Sequence, residues 1–419
     1  MESPAIAAGP AAHGEAWSSG TPREAHASMI CAVVAESCAA AFAPRLRATI
    51  LTGSLARDEG TFQRTENGTL LLGDAEFLLL FHDQFPLPPA DQVVALESAV
   101  AERLQREGLH ASVELSPCHS RYLRSLEPDV FTYELKICGR VVGGDPGALS
   151  LVPTFSCERI PREDAWRLLC NRLIEQLEPM ATLRWPCARP PRAVCYRTAK
   201  LYLDMATSFL LFAGAYAPTY RDRAQALRGL AERDGPSVDC PLPLAEFASR
   251  VEACTRYKLD ATSEEQLGEW TFWAEAIEQA HALWRWELTR MTGGPDEASD
   301  RALWERWRRR QPATARVRGW LYVLRSQGWH RSWRQWLRWS GMALRSAPRQ
   351  WVYAAGTELV FALSSRLDVE RPSDIDCAEL TSWLPMRERA RPELGRAPWQ
   401  QAAHEVCMNY DEFLVGTRS

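Results

Sequence analysis

The chain has 419 residues and a mass of 47.2 kDa, which is enough for two or three domains at about 150 residues each. Hydrophobic residues make up 46% and charged residues 24%, a composition that excludes fibrous and low-complexity proteins. The longest apolar runs, 77–81 and 209–215, are shorter than the ~20 residues of a membrane-spanning helix. The first 28 residues also lack the basic start and apolar stretch of a secretory signal. We therefore expect a cytoplasmic protein.

In chain order, residues 1–28 are rich in Ala, Gly, Ser and Pro and are predicted to form a flexible leader. Apolar spacing predicts a helix over 30–42 and another over 91–107, which ends at Gly108. Strand patterns occur at 48–52, 70–72, 77–81, 111–115 and 131–137. These elements predict an α/β domain with a mixed sheet over residues 29–158.

Beyond residue 158 the strand patterns stop. Helical periodicity marks 163–177, 197–212, 220–233 and 264–289, so a mostly α-helical domain is predicted over 159–292. The Gly293–Pro295 loop predicts a boundary, after which 293–419 form an Arg/Trp-rich helical extension and C-terminal segment. The fold class predicted for the whole chain is α+β.

The cysteines indicate neither disulfides nor zinc. Twelve are spread over the chain without a Cys-x-x-Cys pair, which favours free thiols. Cys170 falls on the apolar face of a predicted helix and is expected to be a small core residue.

The most informative residues lie at two neighbouring strands. The strand over 48–52 leads into Gly53-Ser54, and the strand ending at Phe81 is opened by Asp74-Ala75-Glu76. Side chains two apart on a strand project to the same face, so the Asp74 and Glu76 carboxylates point together. Two close carboxylates repel each other unless a cation or a proton lies between them. The pattern therefore predicts a divalent metal site, with Mg²⁺ as the natural ion.

This pattern resembles the nucleotidyltransferase superfamily of the DNA polymerase beta type, in which Gly-Ser is followed by Asp-x-Asp/Glu on the next strand. Residues 30–150, about a third of the chain, carry the resemblance. The family has a third carboxylate on a neighbouring strand, and Glu114 occupies the corresponding place. The resemblance implies that Asp74, Glu76 and Glu114 are catalytic and bind Mg²⁺, and that Gly53 and Ser54 bind the phosphates of ATP or another nucleoside triphosphate.

The implied activity is transfer of a nucleoside monophosphate to a hydroxyl acceptor: a small molecule such as an aminoglycoside or sugar, a protein, or an RNA end. Two departures from the family leave an inactive binding or scaffold protein of the same fold as the alternative. Residues 55–73 place 19 positions between Ser54 and Asp74, longer than the family's gap, and an inserted hairpin turning at Asn67-Gly68 would account for the excess. Glu114 stands where the family more often has Asp, and Glu134 is the substitute ligand if Glu114 faces away.

In the helical half, the resemblance suggests Lys200 and Arg221 as residues that bind the nucleotide. The alternative is that both belong to a solvated helix face. Thr219 is predicted to cap the helix that follows it. His82 and His119 are expected to be hydrogen-bonded surface residues rather than ligands.

Residues 301–350 hold 13 Arg, no Lys and a single acid, Glu305, so the segment carries about +12 and the remainder of the chain −16. At about 100° per residue, Trp329, Trp333 and Trp336 form one stripe of an amphipathic helix, and arginines including Arg331 form the opposite side. We expect this helix to pack its tryptophans on the protein's own core. Binding to an anionic membrane surface and binding to nucleic acid are the alternatives.

Overall fold

The computed structural model describes residues 21–184, 187–234, 239–260, 267–295, 297–327, 333–365, 375–386 and 397–415. The predicted α+β class is confirmed: strands lie in the N-terminal region and helices make up the remainder. The chain divides into two compact units. The first contains residues up to 127 together with 134–154, and the second contains 128–133 and 155 onward.

The first unit is built on a mixed sheet of strands β1 (Leu46–Thr52), β2 (Thr61–Thr65), β3 (Gly68–Phe81), β4 (Leu109–His119) and β5 (Arg140–Gly144). The long strand β3 is central: β1 and β2 pair antiparallel with it along one edge, and β4 pairs parallel along the other. β5 pairs antiparallel with the free edge of β1. Helices of this region are α1 (Pro22–Phe42), α2 (Gly53–Ala56), α3 (Ala90–Arg106), α4 (Ser120–Arg124) and α5 (Val130–Cys138).

Parallel pairing between β3 and β4 follows from the helix that connects them. Strand β3 ends at Phe81, α3 crosses back, and Gly108 ends the turn with a φ of +78°, a conformation that glycine adopts without steric cost. The Glu97 side chain on α3 accepts a hydrogen bond of 2.8 Å from the Leu115 amide of β4. This bond ties the crossover helix to the strand that carries Glu114.

The predicted hairpin is confirmed, but its two-residue turn is Glu66-Asn67, one position earlier than predicted. Thr65 pairs with Gly68 and Thr61 with Leu72, so β2 and the first third of β3 form the hairpin. Gly68, directly after the turn, has a φ of +130°, which favours glycine at this position. The excess residues between Ser54 and Asp74 are accommodated here, and β3 continues through both carboxylate positions without a break.

Two sequence predictions in this region are wrong. The predicted leader includes 22–28, yet α1 begins at Pro22, because Thr21 and Glu24 form a capping box with hydrogen bonds of 3.3 and 3.0 Å. Residues 1–20 of the predicted leader lie outside the described residues.

The predicted strand over 131–137 is instead helix α5. Its aromatic and β-branched residues suggested a strand, but Thr132, Leu135 and Gly139 are the buried positions, a spacing of three and four that only a helix produces. Asp129 accepts a hydrogen bond of 2.6 Å from the Thr132 amide and caps this helix. The strand of this region, β5, begins only after the helix, at Arg140.

Helix α1 is the one described helix whose length and composition would also suit a membrane span, with a mean hydropathy of 1.5. In the structure its apolar residues pack in the core of the first unit: Ile30, Val34, Cys38 and Phe42 are fully buried there. The cytoplasmic location stays a prediction.

The second unit is helical. After α6 (Arg162–Glu175) and α7 (Leu177–Thr182) come α8 (Arg192–Phe212), α9 (Tyr220–Asp234), α10 (Leu244–Leu259), α11 (Trp270–Thr292), α12 (Asp300–Arg310), α13 (Ala313–Gln327), α14 (Trp333–Ala343), α15 (Pro348–Ser364), α16 (Cys377–Ser382) and α17 (Pro398–Val415). Thr219 caps α9 as predicted, accepting a hydrogen bond of 3.1 Å from the Asp222 amide. The twelve cysteines are all free, and Cys170 is buried.

One hydrophobic core joins the predicted helical domain to the Arg/Trp-rich extension. Trp166 of α6 lies 4.5 Å from Trp307 and 5.9 Å from Trp304 of α12, measured between ring centroids. The predicted boundary at 292/293 therefore does not divide compact units: both segments belong to the second. The expectation that the tryptophans pack internally is confirmed for Trp304, Trp307, Trp320 and Trp339.

The predicted tryptophan stripe is correct only in part: Trp336 is partly buried, with its ring centroid 6.0 Å from that of Trp339. Trp333 is 67% exposed, whereas Trp339 and Met342 are buried. Trp329 and Arg331 lie outside the described residues. Helix α14 turns its Trp339 side inward because the indole donates a hydrogen bond of 2.8 Å to the Pro385 carbonyl and packs beside Trp320.

Trp339→Ala should lower the free energy of unfolding by about 3–5 kcal/mol, because it leaves a cavity in the core and an unpaired carbonyl. Trp333→Ala, on the same helix, should change it by less than about 0.5 kcal/mol. Urea unfolding monitored by circular dichroism measures both. Equal effects of the two variants would contradict the inward orientation of Trp339.

Candidate active site

The predicted carboxylates lie where three strands of the first unit meet. Glu76 of β3 is paired with Thr52 of β1 on one side and with Glu114 of β4 on the other. Residues in register on adjacent strands share a face, and the strands lie about 4.8 Å apart. Glu76 and Glu114 therefore project to the same side of the sheet. Asp74 precedes Glu76 by two residues on the same strand, and it pairs with Ser112.

The prediction that Glu114 faces the carboxylate pair agrees with this register. Asp74 is exposed, and Glu76 and Glu114 are partly buried. All three side chains therefore lie on the accessible face of the sheet, while Ala75, Phe77 and Val113 between them face the core. The alternation of exposed acid and buried apolar residue is the feature that strand periodicity predicted.

The Gly53-Ser54 turn lies directly beside Glu76. Strand β1 ends at Thr52, and the chain turns at Gly53, whose φ is +69°. A Cβ atom placed on Gly53 would lie 2.9 Å from Oε2 of Glu76. Only glycine therefore allows the turn to approach this carboxylate so closely.

Gly53→Ala should disturb both the turn and the carboxylate. The left-handed backbone is strained for alanine, and the added methyl displaces Glu76, so we expect about 1–2 kcal/mol loss in the free energy of unfolding. Activity should fall further than stability, because the displaced group is Glu76. Gly108→Ala is the matched control: its φ is also positive, but a Cβ there meets nothing within 4 Å. A Gly53→Ala protein with unchanged activity would contradict the role of this turn.

A network of buried charges behind the turn was missed by sequence reasoning. Arg57, one turn beyond Ser54, donates a hydrogen bond of 3.1 Å to Glu59 and a second one to Glu134 of α5. The Arg57 side chain is 7% exposed and that of Glu59 2%. Arg57 follows the Gly-Ser motif closely in sequence, which is the signal that could have identified it.

The position of Glu134 changes the interpretation of that residue. It was predicted as a substitute metal ligand on a strand, but it lies on a helix and forms an ion pair with Arg57. Its carboxylate helps to fix the segment that follows the Gly53-Ser54 turn. We therefore assign it to positioning rather than to ligand binding.

Three carboxylates are a suitable donor set for Mg²⁺, which prefers hard oxygen ligands. Among the described residues, no group of three His, Cys, Asp or Glu side chains is arranged so that it could hold a metal ion. The residue types suit the ion, but the three side chains as placed do not form such a group, so the shared metal of Asp74, Glu76 and Glu114 stays a prediction.

Lys200 and Arg221 belong to the second unit. Lys200 lies in a cluster of charges on α6 and α8, and burial together with the charge of Arg172 lowers its pKa. In this cluster Arg172 donates a hydrogen bond of 2.6 Å to Asp204, and Arg197 donates one of 2.5 Å to Glu175. Arg221 is exposed on the first turn of α9. Their assignment to a nucleotide stays a prediction.

Of the two histidines near the motif, His119 behaves as expected. Its Nε2 atom lies 2.9 Å from the Phe85 carbonyl, within hydrogen-bonding distance. This bond engages the ring at the end of β4. The ring therefore lies beyond Glu114 on the same strand and away from Asp74 and Glu76 on β3.

No protein-family model matches the chain, and no curated protein matches it in sequence. Among solved structures, the chain is similar to a spectinomycin adenyltransferase from Enterococcus faecialis, crystallised with ATP and spectinomycin. The identity is 12%, the match covers 61% of this chain and 98% of that one, and the TM-score is 0.35. The function proposed below rests on the residues of the first unit.

Proposed function

We propose that this protein is a Mg²⁺-dependent nucleotidyltransferase that moves a nucleoside monophosphate from a nucleoside triphosphate to a hydroxyl acceptor. The observation that carries the proposal is the order of groups across the sheet. The Gly53-Ser54 turn, Glu76 and Glu114 follow one another on adjacent strands, with Asp74 two residues from Glu76. This arrangement provides a phosphate-binding turn next to a row of carboxylates.

In this proposal the turn binds the β- and γ-phosphates. Gly53 allows a close approach of the backbone, and amides of the turn together with the Ser54 hydroxyl donate hydrogen bonds to phosphate oxygens. The α-phosphate then lies over Asp74 and Glu76. Because attacking and leaving oxygens are in line, the acceptor enters on the side away from the turn, which is the side of Glu114.

The acceptor oxygen forms a bond to the α-phosphorus while the bond from that phosphorus to the bridging oxygen breaks, and pyrophosphate leaves. The hydroxyl proton passes to a carboxylate, and Glu114 is the one closest to the entering acceptor. Asp74, Glu76 and Glu114 are the residues that would hold Mg²⁺. The bound ion would neutralise the phosphate charge. Without such a cation, three carboxylates would repel the triphosphate.

The test is transfer itself. The full-length protein is incubated with each α-labelled nucleoside triphosphate, Mg²⁺, and a panel of aminoglycosides, sugars, proteins and RNA ends. We expect a labelled adduct and one pyrophosphate released for each adduct formed. Glu76→Gln should abolish both, whereas Glu66→Gln, at the exposed hairpin turn of the same unit, should not.

Mass spectrometry of the adduct identifies the acceptor and the transferred nucleotide. Nucleotide binding without transfer to any acceptor, unchanged in Glu76→Gln, would replace the proposal by a binding or scaffold role. Transfer that persists in Glu76→Gln would place the active site elsewhere.

A further inference from the structure

The second unit contains a cavity of about 1180 Å³ that the proposed transferase chemistry does not use. Residues of α11, α12, α14, α15 and α16 line it. A cavity of this volume is large enough for a drug-sized ligand. Its lining combines aromatic rings with both signs of charge, and the charges are not mixed evenly.

Helices α12 and α15 run along the cavity with opposite chain directions. The Arg308 guanidinium of α12 lies 5.9 Å from the Trp351 ring of α15. Seven residues earlier on α12, Arg301 faces Glu358, which is seven residues later on α15. Burial raises the pKa of Glu358, and the charge of Arg301 opposes that rise. Seven helical residues span about 10 Å. The cavity therefore has two ends about 10 Å apart, one at Arg308 and one at Glu358.

The first end is cationic. Arg308 donates one hydrogen bond of 3.0 Å to the Arg345 carbonyl, and a guanidinium has five N–H donors. Burial lowers the pKa of Arg308, as do the nearby charges of Arg309, Arg345 and Arg316, against the opposing effect of Glu305. The remaining guanidinium donors suit an acidic group of a ligand.

Two carboxylates mark the second end. Glu358 and Glu379 both line the cavity, and the pKa of Glu358 is raised by burial and by the charge of Glu379. Asp300 is engaged by His281, at 2.7 Å, and by Arg285, and Arg338 donates hydrogen bonds to the Ser382 and Leu384 carbonyls. Within the described part of the chain, neither Glu358 nor Glu379 forms an ion pair, and Arg301 is the cation whose charge acts on Glu358. A protonated amine would relieve the repulsion between the two carboxylates.

Trp304, Leu337, Met342 and Trp383 add apolar surface to a lining that also includes Glu305, and Phe361 lies one turn beyond Glu358 on α15. Phe361 is held rigidly by a stack on His281, with ring centroids 4.0 Å apart. Rigid aromatic walls bury the apolar body of a ligand with little loss of side-chain entropy.

We propose that this cavity binds an elongated zwitterion with an apolar body. Its acidic group lies at Arg308 and Arg345, and its amine lies at Glu358 and Glu379. Three extended amino-acid residues span about 10 Å, so a tripeptide with free termini has the required length. This binding does not depend on nucleotide transfer, so each proposal can fail without the other.

The probe is trileucine, and binding to the full-length protein is measured by calorimetry and by tryptophan fluorescence without nucleotide. N-acetyl-trileucine lacks the amine, trileucine amide lacks the carboxylate, and leucine lacks the length. We expect trileucine to bind at least about tenfold more tightly than each of the three, because each lacks one of the contacts at an end. Equal affinity for trileucine, N-acetyl-trileucine and trileucine amide, or no binding of trileucine, would overturn the proposal.

Two variants distinguish recognition from a structural role. Arg345→Gln should remove the preference for the free acid over the amide, and Glu358→Gln should remove the preference for the free amine over the acetylated form. Arg306→Gln on α12 and Glu297→Gln before it are exposed controls outside the cavity lining, and both should keep the two preferences. If Arg345→Gln and Glu358→Gln weaken all probes by the same factor, the two ends do not recognise charge and the proposal is wrong.

Discussion

Nucleotide transfer should fall at least about a hundredfold when Asp74 is replaced by asparagine. The amide has the size of the carboxylate but lacks its charge, and loss of one group that stabilises transition-state charge typically costs about 3 kcal/mol. The fold should remain intact, because Asp74 is exposed and exposed substitutions change the free energy of unfolding by less than about 0.5 kcal/mol. Initial rates of transfer at saturating Mg²⁺, together with urea unfolding, measure the two effects.

Glu66→Gln again serves as the matched control for loss of one acidic charge in the first unit. A rate for Asp74→Asn within tenfold of wild type, with the same dependence on Mg²⁺, would remove Asp74 from the site. A loss of activity accompanied by a large loss of stability would instead show that Asp74 supports the sheet.

The second large effect is expected at Glu287, which is fully buried on α11. Neither of its carboxyl oxygens has a hydrogen-bond partner among the described residues. Burial raises the pKa of Glu287 from 4.5 to about 8, and the nearby Ser208 hydroxyl offsets this only in part. At neutral pH the folded protein therefore holds the carboxyl in its protonated form.

The sign of the pH dependence follows from this shift. Below pH 4.5 the carboxyl is protonated in both the folded and the unfolded chain, so Glu287 contributes no pH dependence there. Between pH 4.5 and about 8 the unfolded chain releases the proton and the folded chain does not, so stability falls as the pH rises. Over the whole window the loss amounts to about 3–5 kcal/mol.

Glu287→Gln should remove this dependence. The free energy of unfolding of the variant, relative to wild type, should rise by about 3–5 kcal/mol between pH 5 and pH 9, whatever constant cost the buried amide adds. Glu278→Gln, on the exposed side of the same helix, should show no such trend. Parallel pH profiles of wild type and Glu287→Gln in urea unfolding would show that the carboxyl is solvated in the folded protein.

Local chemistry made part of the fold predictable from sequence. The hairpin was predictable because glycine at position 68, directly after the turn, adopts a positive φ. The shared face of Asp74 and Glu76 was predictable because the strand period is two. Helix α5 was not predictable in this way, because its aromatic and β-branched residues favour a strand locally. In the folded protein, Thr132 and Leu135 are buried at helical spacing.

Tryptophan placement shows a similar division. Periodicity predicted an amphipathic helix for α14, but its inward face is decided by which indole finds a carbonyl partner. Trp339 finds the Pro385 carbonyl, 46 positions later in the chain, and Trp333 stays exposed. At 100° per residue the three tryptophans of α14 fall within one third of its circumference, so periodicity does not tell which edge of that sector faces the core.

By itself, the sequence determined the α+β class, the hairpin, the free cysteines and the strand positions of the candidate site, because each depends on neighbours within a few residues. Tertiary structure alone decided the register that places Glu114 beside Glu76, the ion pair that takes Glu134 away from the site, and the isolation of Glu287. It also brought Arg308 to Trp351 and Glu358 to Glu379 across one cavity. These contacts join residues distant in the chain, and their energies depend on burial and approach distance, which no local pattern encodes.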